Sequence, residues 1–162
     1  MIDTRTVQDR RTLRFNSIKE VIADADRIAA AERAGTLRTT GNWTAGQTFG
    51  HLAAWANYPY DGYPAALRPP WILKTLLKLF LKNKFIKGPM RPGVRIFKVS
   101  GGTLGIDPLP LEVGLEQLRN SHLRLDATCP PLPNVLMGPL THEQWRSLGL
   151  RHAELHLSFL HP

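Results

Sequence analysis

Among 162 residues there is one cysteine, Cys129, which excludes an internal disulfide framework and any C-x-x-C metal or redox motif. The opening stretch, MIDTRTVQDRR, lacks the apolar core of a secretory signal, and Arg5, Arg10 and Arg11 interrupt any helix that would insert there. A cytoplasmic location is expected. Long apolar runs are also missing. The greasiest stretch, Trp71 to Leu81, has 11 residues, whereas a spanning helix needs roughly 20. No convincing set of strands is present, although 94–99 could make a short extended piece, and there is no internal repeat. What remains is 43% hydrophobic and 21% charged residues, the composition of a globular protein, and the length fits a single domain over 1–162.

Acidic residues are absent from one segment. Between Arg68 and Lys98 there are nine basic residues and no acidic ones, while elsewhere 12 basic residues face 13 acidic ones. The net charge of +8 therefore belongs to an insert and not to the whole domain. The aromatic and glycine context of a nucleic-acid module is missing, so no nucleic-acid partner is expected.

Four segments have helical periodicity. Ser17 to Glu20 reads as a capping box, Ile18, Val21, Ile22, Ala25, Ile28 and Ala29 form one apolar face, and Gly35 is placed to end a helix over 18–34. Thr44 and Gln47 form a second box, with Trp43 placed to staple the first turn, and Pro59 predicts an end near 57. Asp107-Pro108 and the stripe Leu111, Leu115, Leu118, His122, Leu125 predict a third helix over about 108–127. Thr141 and Gln144 open a fourth, over about 142–160, with Trp145, Leu148, His152, Leu155, His156 and Phe159 on one face. Four amphipathic helices of this length bury their stripes most simply as an all-α four-helix bundle.

The insert, about 60–107, is long for a simple bundle. Its greasy helix, carrying Lys74, Lys78 and Lys82 on one stripe, calls for cover. Packing over the bundle mouth or onto a second subunit, giving a homodimer, is favoured over a membrane surface.

His152 and His156 lie four apart on the inward face of the last helix, with side chains about 6 Å apart. The ordinary reading of such a pair is two core histidines bonded to polar neighbours. His51 on the second helix, sharing a face with Gln47, Trp55 and Tyr58, offers a third nitrogen if the two helices meet. Three imidazoles suit zinc, nickel, iron(II) or cobalt and leave coordination positions open for water or substrate. The other polar candidates are weaker. His122 reads as a buried imidazole bonded to a neighbour, with a supporting or substrate contact as the alternative. His142 is expected at the surface and His161 at a frayed terminus. Cys129 has no base beside it in sequence, and Glu154 falls on the far side of its helix from His152.

The stretches from Gly41 to Ala53, from Leu140 to Trp145 and from His152 to Leu157 resemble the DinB-like superfamily, in particular a bacterial branch known as a domain of unknown function. The resemblance runs from Arg11-Thr12-Leu13-Arg14-Phe15 to the end. It implies an up-down-down-up four-helix bundle in which His51, His152 and His156 hold a divalent metal. Relatives in that superfamily include S-transferases and isomerases that use low-molecular-weight thiols; the basic insert sets this chain apart from them. Two functions are therefore expected as alternatives. One is a metal-dependent hydrolase or thiol S-transferase acting on a small molecule, either anionic or itself a low-molecular-weight thiol, with Trp55, Tyr58 and the insert walling the pocket. The other is a non-catalytic module whose insert contacts a membrane surface or a partner protein.

Overall fold

Ser17 opens the first helix by accepting from the Glu20 amide, while the Glu20 carboxylate reaches the Asn16 amide. The helix α1, Ile18–Ala34, ends at Gly35, whose φ of 70° lets its amide bond the last carbonyls. The computed structural model describes residues 2–67, 82–94, 99, 102–105 and 107–162. The remaining helices are α2 (Ala45–Asp61), α3 (Lys82–Lys87), α4 (Leu111–Ala127) and α5 (His142–Leu157), with both threonine-glutamine capping boxes of α2 and α5 closed. A two-residue antiparallel pair, β1 (Arg38–Thr39) with β2 (Leu160–His161), sets Arg38 against His161. The class is all-α.

Three boundaries differ from those expected. Helix α2 continues past Pro59, which is buried within it. The missing amide removes one bond, but this turn is held from outside: Leu132 N donates to the Pro59 carbonyl at 3.1 Å, and the Tyr60 hydroxyl to the Thr128 carbonyl at 2.6 Å. Helix α4 starts only at Leu111, because Pro110 disfavours helical geometry in Leu109 and so overrides the Asp107-Pro108 signal. Helix α5 stops at Leu157, since Leu160 and His161 leave the axis to pair with β1. His161 is therefore held in a ladder and is not frayed. The greasy helix expected over Trp71–Leu81, and most of the extended piece expected over 94–99, lie outside the described residues.

The four long helices share one core, in which Ile18, Ile28, Phe49, Leu52, Leu115, Leu118 and Leu157 are almost fully buried. Contacts between them fix their directions. Arg33 bonds Glu112 and Arg119 bonds Asp26, so α1 and α4 are antiparallel. Gly46 abuts Gly114 and Asp61 pairs with Arg124, so α2 and α4 are parallel. His142 Nε2 donates to the Leu125 carbonyl at 2.7 Å, and Trp43, just before α2, stacks on His156 while Trp55 meets His152, so α2 and α5 are antiparallel. The α2–α4 contact is the most extensive in the fold. A Cβ on Gly114 would lie 2.5 Å from the Gly46 carbonyl oxygen, so the close approach requires glycine.

Two buried ionic clusters tie the N-terminal segment to the helices. Asp24 is fully buried on α1 and takes both Arg11 and Arg27. Glu154 accepts from the Phe15 amide at 2.6 Å and pairs with Arg151 at 2.7 Å. Among the described residues no helix is long and apolar enough to cross a membrane.

Candidate metal centre

His51 projects from the middle of α2, and one turn separates His152 from His156 on α5. The helices bring the three rings together. Each offers a ligand nitrogen, and these nitrogens all lie within 4.8 Å of one another. Ring centroids are 4.5 Å apart for His51 and His156, 4.7 Å for His152 and His156, and 5.1 Å for His51 and His152.

The orientation of His51 follows from the backbone of the insert. Its Nδ1 lies 2.5 Å from the Leu104 carbonyl oxygen, so Nδ1 carries the proton and donates it. Nε2 is left with its lone pair turned toward the other two rings. The Nε2 atoms of His51 and His152 are 3.3 Å apart. Two nitrogens bound to one tetrahedral zinc at about 2.05 Å would be separated by about 3.3 Å, so these donors fit a divalent ion.

Electrostatics favours the neutral imidazoles that metal binding needs. Burial pushes the His51 pKa down to about 4, against a smaller upward effect of the Leu104 carbonyl. His152 and His156 are held well below the usual histidine range, first by burial and then by the other imidazoles of the group. Neutral imidazoles therefore face one another at neutral pH.

Aromatic walls surround the trio. Trp43 lies nearly parallel to His156, with centroids 5.2 Å apart and planes 12° from each other, and Trp55 meets His152 edge-on at 5.9 Å. Trp43, expected as a helix staple, is thus part of the site. These rings border a cavity of about 420 Å³ that also reaches Pro59, Phe85, Leu155 and the turn at Arg91. Tyr63 lines it where Tyr58 was expected; Tyr58 stands behind, against Trp55 and Tyr63. Burial pushes the Tyr63 hydroxyl up to about 12, so it keeps its proton.

His122 also lines the cavity and is buried, with Nδ1 3.0 Å from the Leu118 carbonyl oxygen and 3.2 Å from Ser121 Oγ. It lies outside the group of close nitrogens. His142, expected at the surface, is half-buried and bridges α5 to the end of α4. Glu154 points to the Phe15 side of α5 and away from the trio, and Cys129 is exposed with no base against it. Thr103 and Leu104 had no signal in the sequence pattern, because a carbonyl acceptor or a single hydroxyl in an irregular segment has no periodicity; Gly105, at φ 69°, was the one local mark.

These features define an all-helical protein with a three-histidine cavity. Over residues 7–162 the chain matches the family described as Protein of unknown function (DUF1569), and it belongs to that family. No curated protein and no solved structure matches it.

Proposed function

We propose that this chain is a divalent-metal enzyme of the DinB-like type, in which His51, His152 and His156 hold zinc, nickel or iron(II) beside a small-molecule pocket. The observation that carries this reading is the 3.3 Å separation of the His51 and His152 Nε2 atoms within a group of three imidazoles. The bundle part of the reading rests on the helix directions: with α1 taken as up, α2 and α4 run down and α5 runs up.

A cation on three neutral imidazoles lowers the pKa of a bound water or thiol toward about 7, which suits hydrolysis or thiol transfer. The protein's own groups do the rest. The Leu104 carbonyl holds the His51 ring in one tautomer, and Trp43 and Trp55 keep bulk water off the nitrogens.

Elemental analysis of the purified protein tests the site. His51→Ala and His152→Ala should each lose most of the metal while far-UV circular dichroism stays close to wild type, because neither change touches the leucine core. Full occupancy in both variants would place the metal elsewhere. Hydrolysis of p-nitrophenyl acetate and conjugation of a low-molecular-weight thiol, compared between wild type and His152→Ala, test the reaction. Absence of both leaves a metal-binding module without catalysis.

A further inference from the structure

Beside the histidines the cavity carries polar atoms that no described residue pairs. Trp55 Nε1 and Thr103 Oγ1 both belong to residues lining the cavity, are shielded from solvent, and have no hydrogen-bond partner among the described residues. A buried donor left unsatisfied costs about 1–3 kcal/mol, and native structures seldom tolerate it without a ligand or water to complete the bond. Two such atoms in one cavity mark a place for a partner.

The chemistry of the lining restricts what that partner is. Trp43 and Trp55 offer flat apolar faces suited to ring stacking. Among the described residues, the charged ones bordering the cavity, apart from the neutral histidines, are Asp3, Arg5 and Arg91. Asp3 and Arg5 pair with each other at 2.7 Å, and Arg91 is exposed on the rim. A multiply charged molecule would be stripped of water there without a buried counter-charge, which is expensive. The volume of about 420 Å³ falls within the roughly 300–1,000 Å³ of small-molecule sites.

We propose that the cavity binds a compact, predominantly apolar molecule, with a ring or short chain between Trp43 and Trp55 and a carbonyl-type oxygen accepting from Trp55 Nε1 and Thr103 Oγ1. This deepens the metal-enzyme reading and rests on it only for the end of the molecule that faces the histidines. It sets the substrate class as an uncharged or singly charged acyl or aryl compound.

Benzohydroxamate and acetohydroxamate share a metal-binding headgroup and differ by the phenyl ring, so calorimetric titration of both isolates the pocket. The zinc-loaded wild-type protein should bind benzohydroxamate at least tenfold more tightly. Trp55→Phe keeps a ring and removes the donor, and Thr103→Val keeps the shape and removes the hydroxyl; with each variant fully zinc-loaded, benzohydroxamate should weaken about fivefold while acetohydroxamate, which does not reach these atoms, changes less. Equal binding of the two probes overturns the proposal, as does wild-type affinity in both variants or displacement of benzohydroxamate by equimolar citrate. The same titrations without zinc separate this proposal from the metal site. A protein that takes up no zinc yet prefers the phenyl probe refutes the metal site and supports the pocket; normal zinc uptake without that preference does the reverse.

Discussion

His122 shows what burial does to a single side chain. Its pKa is pushed down to about 4 by loss of hydration, against the smaller upward pull of the Leu118 carbonyl. In the unfolded chain a histidine titrates near 6.5. Above that value both states are neutral and the group contributes no pH dependence. As pH falls from 6.5 toward 4 the unfolded chain takes up a proton that the native ring refuses, so stability is lost at up to about 1.4 kcal/mol per pH unit. His122→Leu removes this titration. The stability advantage of wild type over the variant, measured by urea denaturation, should therefore shrink between pH 6.5 and 4. An advantage constant over that range would show that His122 is protonated in the native state.

At the scale of elements, the α2–α4 crossing depends on two glycines in contact. Alanine is the better helix former by about 0.5–1 kcal/mol, so propensity alone predicts that Gly114→Ala stabilises. The crossing predicts the opposite. With the Gly46 carbonyl oxygen 2.5 Å from the new Cβ, the helices must separate, at a cost of about 1–3 kcal/mol typical of overpacking. The urea midpoint should fall; a rise would mean that the helices are free to slide apart without losing contact. Because His51 is carried on α2 and the Asp61–Arg124 pair closes the same interface lower down, the variant should also loosen the metal site.

For the whole molecule, a metal held at the proposed histidine trio would be coupled to folding. The site exists only when α2 and α5 are docked, so an ion that binds the native state raises the thermal midpoint by mass action. Its ligands must be unprotonated, and burial already holds the three imidazoles neutral in the native state, with His51 down at about 4. Zinc should therefore raise the midpoint clearly at pH 7.5 and by a similar amount at pH 5, and the increment should be lost only as pH falls toward 4. Thermal melts with and without zinc check this. An increment surviving in the His51→Ala/His152→Ala/His156→Ala variant would put the ion's effect at another position.

Much of this arrangement was legible from local pattern. The start and end of α1 followed from Ser17, a six-residue apolar stripe and Gly35, because capping and a 3.6-residue period act within a few residues. The capping boxes at Thr44 and Thr141 did the same for the starts of α2 and α5. The pair His152 and His156 was likewise a matter of one helical turn. Asp24 was not legible: its burial depends on Arg11, thirteen residues away in sequence and anchored to the Leu157 carbonyl. Nor was the continuation of α2 through Pro59, where bonds from Leu132 and at Tyr60 secure the turn that lacks an amide.

By itself, then, the sequence determined the helical class, the faces to be buried and the one-turn pairing of His152 with His156, since these depend on spacing along the chain. Only the tertiary structure decided that α2 and α5 bring the Nε2 atoms of His51 and His152 to 3.3 Å, that the Leu104 carbonyl selects the tautomer of His51, and that Trp43 forms a wall of the site. Those outcomes depend on atoms far apart in sequence, whose encounter is set by how four helices pack and not by any local preference.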